Sequence, residues 1–284
     1  MMPTKERNPL ATLLDYKGEG ILFDCGEGTQ RQFKIAGKSI AKIRRICISH
    51  WHGDHVLGLP GLLQTYAAAQ TGNELDIYGP KGTLRHYKAM MDGIEFEERL
   101  KVNVHEVGEG VFFENSKYKL EALPLRHPVP CVGYAFTEKD RRRIKPEFVK
   151  KLGEGPLLGE LQRGKSVDYK GKKITPAAAT VKVKGKKIAV ITDTRWTKNC
   201  VELAKDADLL VIEGTFANKL KDKAEDYAHL TSLESAQIAS QAGVKKMVLT
   251  HFSARYKDTD EILEDARTAF PDVVCAYDFM KVKL

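Results

Sequence analysis

The chain has 284 residues, 42% of them hydrophobic, with a formal net charge of +8. That size suits one large domain with an appendage and excludes two large ones. No run of 18 apolar residues occurs, so no ordinary transmembrane helix is expected, and the polar start from Met1 to Asn8 lacks the apolar stretch of a secretory signal. A cytoplasmic protein with no membrane partner is therefore expected. Cys25, Cys47, Cys131, Cys200 and Cys275 are scattered and form no Cys-x-x-Cys pair, which favours buried free thiols over a disulfide framework or a thiolate zinc site. The positive charge weakly favours a polyanionic partner.

The first third predicts strands 11–16 and 20–24 across a Lys17-Gly18 turn, then a helix over Thr29–Ile35 stopped by Gly37. Strand 43–49, helix 62–69 and strand Leu75–Gly79 follow, with further strands at 101–107, Tyr118–Pro124 and 133–136. The last third alternates strand 187–192, helix 199–204, strand Leu209–Glu213, helix 232–242, strand 246–251, helix 260–270 and strand 274–276. Ile188-Ala189-Val190-Ile191 is apolar on both faces, as in a strand covered on both sides. The alternation points to layered α/β architecture.

The middle differs. Residues 137–172 carry two prolines, five glycines and little β pattern, and from 139 to 165 nine Lys/Arg stand against four Asp/Glu. This segment reads as an inserted arm, or as a solvated surface loop.

The strongest chemical signal is His50-Trp51-His52-Gly53-Asp54-His55, directly after an apolar strand. Imidazole and carboxylate are ligands that zinc accepts where a site keeps an open position. His50 and His52, two apart in an extended segment, can point the same way, while Asp54 and His55 fall at a helix start and can face a second ion. His127, Asp193, His229 and His251 stand at strand ends or in adjacent loops, where layered α/β folds gather their sites. Only His86 and His105 fall outside this set, and both read as surface residues.

The His50–His55 segment resembles the signature of the metallo-β-lactamase superfamily, and further motifs resemble its tRNase Z family. They are the Asp24-Cys25-Gly26-Glu27-Gly28-Thr29-Gln30-Arg31-Gln32 segment, Gly58-Leu59-Pro60-Gly61-Leu62-Leu63 and His127-Pro128-Val129-Pro130-Cys131-Val132-Gly133-Tyr134. Gly155-Pro156-Leu157-Leu158-Gly159, Thr192-Asp193-Thr194-Arg195, Glu213-Gly214-Thr215-Phe216, His229-Leu230-Thr231-Ser232, His251-Phe252-Ser253-Ala254-Arg255-Tyr256 and Ala276-Tyr277-Asp278-Phe279 continue the match in order. The family opens with a short strand and Gly-rich turn ahead of a segment like Pro3–Asn8; this sequence starts at about that segment.

The resemblance implies an αββα sandwich, spanning 1–136 and 173–284, with an inserted basic arm at 137–172. It implies two divalent metal ions, one on His50, His52, His127 and Asp193, the other on Asp54, His55, His251 and the same Asp193. Zinc suits these donors; manganese or iron fits them too. Two such ions can activate a shared water and neutralise charge growing on a phosphodiester. The resemblance further implies that Asp54 handles the water and that His229, backed by Glu213, protonates the leaving ribose oxygen. The implied substrate is precursor tRNA, cut to leave a tRNA 3′-OH and a 5′-phosphate trailer. The arm then binds tRNA through Arg141, Arg142, Arg143, Lys150, Lys151, Gly155, Pro156 and Arg163, from the opposite subunit of a homodimer. Two other readings stay open: another hydrolase of the superfamily (a phosphodiesterase or lactonase), or a non-catalytic RNA-binding homologue.

Overall fold

The computed structural model describes residues 2–69, 74–95 and 100–284. They form two compact units: Met1–Phe113 with Leu120–Phe136 and Lys187–Leu284, and Glu114–Lys119 with Thr137–Lys186.

The first unit opens with a five-stranded sheet, β1 (Thr12–Tyr16), β2 (Glu19–Phe23), β3 (Ile43–Cys47), β4 (Leu75–Gly79) and β5 (Val102–Glu106), ordered as numbered. Strands β1 and β2 form an antiparallel hairpin, while β2 through β5 run parallel. Lys17 and Gly18 both have positive φ, 53° and 84°, which gives the two-residue turn the twist that matches its strands. A second sheet begins with β6 (Gly110–Glu114), β7 (Tyr118–Pro124) and β8 (Val132–Glu138). Strands β9 (Arg141–Ile144), β10 (Val167–Tyr169), β11 (Lys172–Ile174) and β12 (Thr180–Val183) lie in the second unit. Strands β13 (Lys187–Ile191), β14 (Leu209–Glu213), β15 (Met247–Thr250) and β16 (Val273–Cys275) complete the second sheet, ordered β16-β15-β14-β13-β8-β7-β6.

Helices α1 (Thr29–Ile35), α2 (Gly53–Val56), α3 (Leu59–Ala68) and α4 (Thr83–Met91) belong to the first half. The first sheet packs Leu22, Ile46 and Ile77 against Phe33 of α1 and Leu62, Leu63 and Tyr66 of α3. The second unit holds α5 (Pro146–Leu152), α6 (Pro156–Gln162) and α7 (Pro176–Ala179); α8 (Lys198–Ala204), α9 (Lys221–Asp226), α10 (Ser232–Gln241) and α11 (Asp260–Arg267) follow. Leu203 of α8, Ile238 of α10 and Ile262 of α11 share a core with Ala189, Leu210 and Leu249 of the second sheet. The sheets meet face to face through Phe23 and Tyr134, 5.9 Å between ring centres, and Tyr78 and Phe112, 4.7 Å apart. The Tyr134 hydroxyl donates to the Ile48 carbonyl at 2.7 Å, which satisfies its one polar atom inside this interface. Two sheets with a helix layer outside each make an αββα sandwich.

The predicted elements recur with small shifts. Helix α3 starts at Leu59 rather than 62, because Pro60 sits in its first turn, where a missing N–H breaks no helical bond. Helix α4 and strand β6 went unpredicted. Within α4 only Thr83 is buried, and β6 has no buried residue, so neither carries a clear apolar period. In the second unit, the reading of little β pattern does not hold: β9 pairs with β12 and β10 with β11, over a small core of Leu161, Val167, Ile174 and Ala179. Partners as distant as Arg141 and Val183 leave no local periodicity to read. The expected arm boundary at 172 falls at the start of β11, inside this unit.

Close backbone packing fixes α2 on the first sheet. Cys25 accepts from the Gly58 amide at 2.9 Å and donates to the His55 carbonyl at 2.7 Å. A Cβ at Gly58 would stand 2.1 Å from the Gly26 carbonyl oxygen, where the obstacle is backbone. Gly58→Ala is therefore expected to cost about 1–3 kcal/mol of stability, the range for overpacking. Urea unfolding checks this; an unchanged midpoint contradicts it.

Candidate metal centre

Strand ends deliver the site. Strand β3 runs on to His50, β7 to His127, β13 to Asp193 and β15 to His251, while β14 ends on Glu213. His52 is the N-cap of α2, and Asp54 and His55 lie in its single turn. The parallel strands β3, β13, β14 and β15 thus present their carboxyl ends to one place, the usual position for sites in such sheets.

Two groups of donor atoms converge there. One ligand atom each from His50, His52, His127 and Asp193 lies within 4.8 Å of the others, and so do those of Asp54, His55 and His251. In the first group His50 Nε2 is 3.0 Å from His52 Nδ1 and 3.6 Å from Asp193 Oδ2, and His127 Nε2 is 3.3 Å from His52 Nδ1. In the second, Asp54 Oδ2 stands 3.5 Å from both His55 Nε2 and His251 Nε2. The other Asp193 oxygen, Oδ1, is 3.4 Å from His55 Nε2 and 3.1 Å from His251 Nε2, so this carboxylate faces both groups.

The fit to cations can be tested on these atoms. Buried His55 Nε2, His251 Nε2 and Asp193 Oδ1 make no hydrogen bond. Such orphans are costly inside a protein. Donor atoms around a tetrahedral ion with bonds of about 2.0–2.2 Å stand roughly 3.3–3.6 Å apart. The observed spacings surround that range, and the donors are those a divalent metal takes. The fold and this His/Asp cluster define a divalent metal centre.

The outer nitrogens explain why the inner ones converge. His55 Nδ1 is 2.8 Å from Asp24 Oδ2, and His127 Nδ1 is 3.2 Å from the Ala228 carbonyl. Both partners are acceptors, so each Nδ1 carries a proton and each Nε2 faces inward, where it can bind a cation once deprotonated. Ser49 Oγ donates to Asp24 at 2.9 Å and accepts from His50 Nδ1 at 3.0 Å. Thr215 Oγ1 donates to Glu213 and accepts from His251 Nδ1 at 3.0 Å. Asp24, Asp193 and His251 at strand ends, and Ala228 in the loop before His229, all adopt positive φ, so sharp turns aim these groups.

Charge inside the cluster is uneven. Burial alone would lower the His55 pKa, but the charges of Asp193 and Asp24 outweigh it and push it up to about 10. Burial lowers His50 strongly and takes His251 down to about 4. Asp193 resists the upward push of burial: His251 and His55 hold it well below the usual carboxylate range.

Beside the donors stands a second pair. Glu213, fully buried, receives the Thr194 amide on Oε1 at 2.6 Å, and its Oε2 is 3.0 Å from His229 Nδ1. Burial depresses His229, but the charge and hydrogen bond of Glu213 raise its pKa overall. A donor atom of His229 also falls within 4.8 Å of Asp193 and His251. All seven expected ligands and the Glu213–His229 pair therefore come together in the first unit.

The eight expected RNA-contacting residues lie in the second unit, on several elements. Lys150 and Lys151 lie in the last turn of α5, Gly155 and Pro156 open α6, and Arg163 caps it; all five are exposed. Strand alternation splits the arginine run. Arg141 and Arg143 are exposed, opposite Val183 and Val181, whereas Arg142 is half-buried and donates to Thr180 Oγ1 at 3.2 Å. Sequence reasoning gave no role to Asp24, Ser49, Thr194 or Thr215, although Asp24, Thr194 and Thr215 lie inside the motifs it quoted. His86, expected at the surface, has a half-buried ring that stacks on Trp51, 5.4 Å between centres.

Fold and site together define a metal-dependent hydrolase of the metallo-β-lactamase type. A sequence model of the metallo-β-lactamase superfamily matches residues 4–140, and one of a β-lactamase superfamily domain matches 160–252. The chain is 41% identical to ribonuclease Z of Methanothermobacter thermautotrophicus over 286 residues, covering 100% of this chain and 93% of that one. It is 40% identical to ribonuclease Z of a Picosynechococcus species, covering 98% and 92%. The structure of human tRNase Z, short form, superposes with a TM-score of 0.72 at 28% identity, covering 99% of this chain and 94% of that one. The chain belongs to the ribonuclease Z family, and is a metal-dependent endoribonuclease.

Metal loading should be coupled to protons. In the metal-free chain His55 holds its proton at neutral pH, and a cation at Nε2 must displace it. Apparent affinity is therefore expected to rise with pH, by about tenfold per unit for each proton released. Calorimetric titration of metal-free protein in buffers of different ionisation enthalpy checks this; heats independent of buffer contradict it.

Proposed function

We propose that the chain cuts precursor tRNA on the 3′ side of the discriminator region, leaving a 3′-hydroxyl on the tRNA and a 5′-phosphate on the trailer. The observation that carries this reading is the Glu213–His229 pair beside the two donor groups, 3.0 Å between Oε2 and Nδ1. Neither donor group needs His229, so a proton donor remains once the ligands are assigned.

The residues fit two divalent ions, with zinc the best match to the donors. His50, His52, His127 and Asp193 would hold one, and Asp54, His55, His251 and the same Asp193 the other. Bound there, the ions supply Lewis acidity, which polarises the phosphodiester and lowers the pKa of the attacking water. Asp54 orients that water and takes its proton. His229 spends Nδ1 on Glu213 and so gives its proton from Nε2 to the departing ribose 3′ oxygen. The raised pKa of His229 favours the protonated ring that this step needs. One proton leaves the water, one reaches the leaving oxygen, and the new P–O bond stays with the trailer.

The second unit is read as the tRNA-binding arm and the first unit as the catalytic body. Its support is charge: nine Lys/Arg against four Asp/Glu over 139–165. Phosphate contacts of this kind carry no sequence preference, which suits an enzyme acting on many tRNAs by shape. A homodimer and a cytoplasmic location belong to the same proposal and rest on the family resemblance.

Pure protein incubated with a 3′-extended precursor tRNA is expected to make a single cut after the discriminator, mapped by product ends. His229→Ala should keep its metals while single-turnover cleavage falls roughly 10²–10⁴-fold, the scale of general acid–base groups. A parallel loss of metal makes His229 a ligand instead. In the arm, neutralising Arg141 and Arg143 should weaken tRNA binding and flatten its salt dependence by about one unit per contact. Arg142→Gln should leave the slope nearly as it was, because that guanidinium is engaged with Thr180. Equal effects from all three arginines would reject this division of faces.

A further inference from the structure

We infer that Arg195 is a positioning residue, holding the backbone of His229 in register with the metal ligands through a buried two-pronged pair with Glu234. This rests on the proton-donor reading of His229. His229 lies between α9 and α10, in no regular element, and the residue before it, Ala228, has φ 55°. No sheet ladder fixes its distance from the donors, yet a proton donor must sit within hydrogen-bond reach of the leaving oxygen.

Asp193, Thr194 and Arg195 supply the missing ruler. Asp193 faces both donor groups. The next residue, Thr194, donates its amide to Glu213 Oε1 at 2.6 Å. Arg195 then donates from Nη1 to the His229 carbonyl. Consecutive residues therefore grip both members of the acid pair, and the ruler starts on the carboxylate shared by the donor groups. Its own base is fixed, because the Arg195 amide donates to the Arg126 carbonyl at 2.8 Å, one residue before His127.

The guanidinium is itself held. Nη1 and Nη2 reach Glu234 Oε2 and Oε1 at 3.0 and 2.9 Å, and Nη2 meets Glu225 at 2.7 Å. Arg195 is only 7% exposed. Burying a guanidinium is costly without paired carboxylates, and its planar fork holds orientation in a way lysine cannot. Capping α10 does not account for the arrangement. Thr231 and Glu234 already complete a reciprocal cap, with Thr231 N to Glu234 Oε2 at 2.9 Å and Glu234 N to Thr231 Oγ1 at 3.2 Å. What Arg195 adds is the bond to the His229 carbonyl.

The test compares two substrates. Ribose oxygen is a poor leaving group that needs a proton, whereas p-nitrophenolate leaves without one. Single-turnover cleavage of precursor tRNA and turnover of bis(p-nitrophenyl) phosphate are measured for Arg195→Lys and Glu234→Gln, with metal content and thermal melting. Precursor tRNA cleavage is expected to fall about 10–100-fold, part of the general-acid contribution, and the diester turnover by at most about threefold. In a His229→Ala background, Arg195→Lys should cost less than about twofold more, because the residues act as one unit. Equal losses on both substrates, losses that multiply with His229→Ala, or unchanged tRNA cleavage in both variants overturn the inference. If Arg195→Lys fails to fold, Glu234→Gln decides by the same criteria. If His229→Ala alone leaves tRNA cleavage intact, the proton-donor reading fails; if His229→Ala is slow while Arg195→Lys and Glu234→Gln are not, only the positioning role fails.

Discussion

The buried carboxylate of Asp193 is the constraint on which the site depends. It is 3% exposed, with one oxygen turned to the His50 group and the other to His55 and His251. A charge so deep is tolerable only with opposite charge around it. Without metal, protonated histidine provides part of that charge, which is why His55 is pushed up while Asp193 is pulled down. A divalent cation provides it more fully, so ligand geometry and proton inventory are linked.

That arrangement makes demands on its surroundings. Each inward Nε2 of His50, His55, His127 and His251 requires an outward acceptor, and Ser49, Asp24, the Ala228 carbonyl and Thr215 provide them. Asp24 gathers Ser49 and His55, and Glu213 gathers Thr194, Thr215 and His229, so two carboxylates organise most of the outer contacts. The strained turns at Asp24, Asp193, Ala228 and His251 are the backbone counterpart of the same demand. Parallel strands covered by helices supply the rigidity that keeps such turns in place.

The chemistry divides by unit. The candidate metal donors and the Glu213–His229 pair belong to the first unit, while the Lys/Arg-rich segment 139–165 lies in a unit with its own small core.

The sequence by itself determined what depends on neighbours along the chain. Apolar runs such as Ile188–Ile191 specified the central strands, and the spacing of His50, His52, Asp54 and His55 marked a metal site before any fold was known. Elements with weak periodicity, α4 and β6, escaped because burial leaves them little apolar pattern. The split of the arginine run between two faces escaped as well, since the partner strand returns about forty residues later. The supporting contacts were decided only by tertiary structure. His55 meets Asp24 across 31 residues, His251 meets Thr215 across 36, and Arg195 meets Glu234 across 39. Local sequence dictates which side chains are available as donors. Which ring nitrogen faces inward, and what holds it there, depends on hydrogen bonds between distant residues that exist only when the sheets are packed.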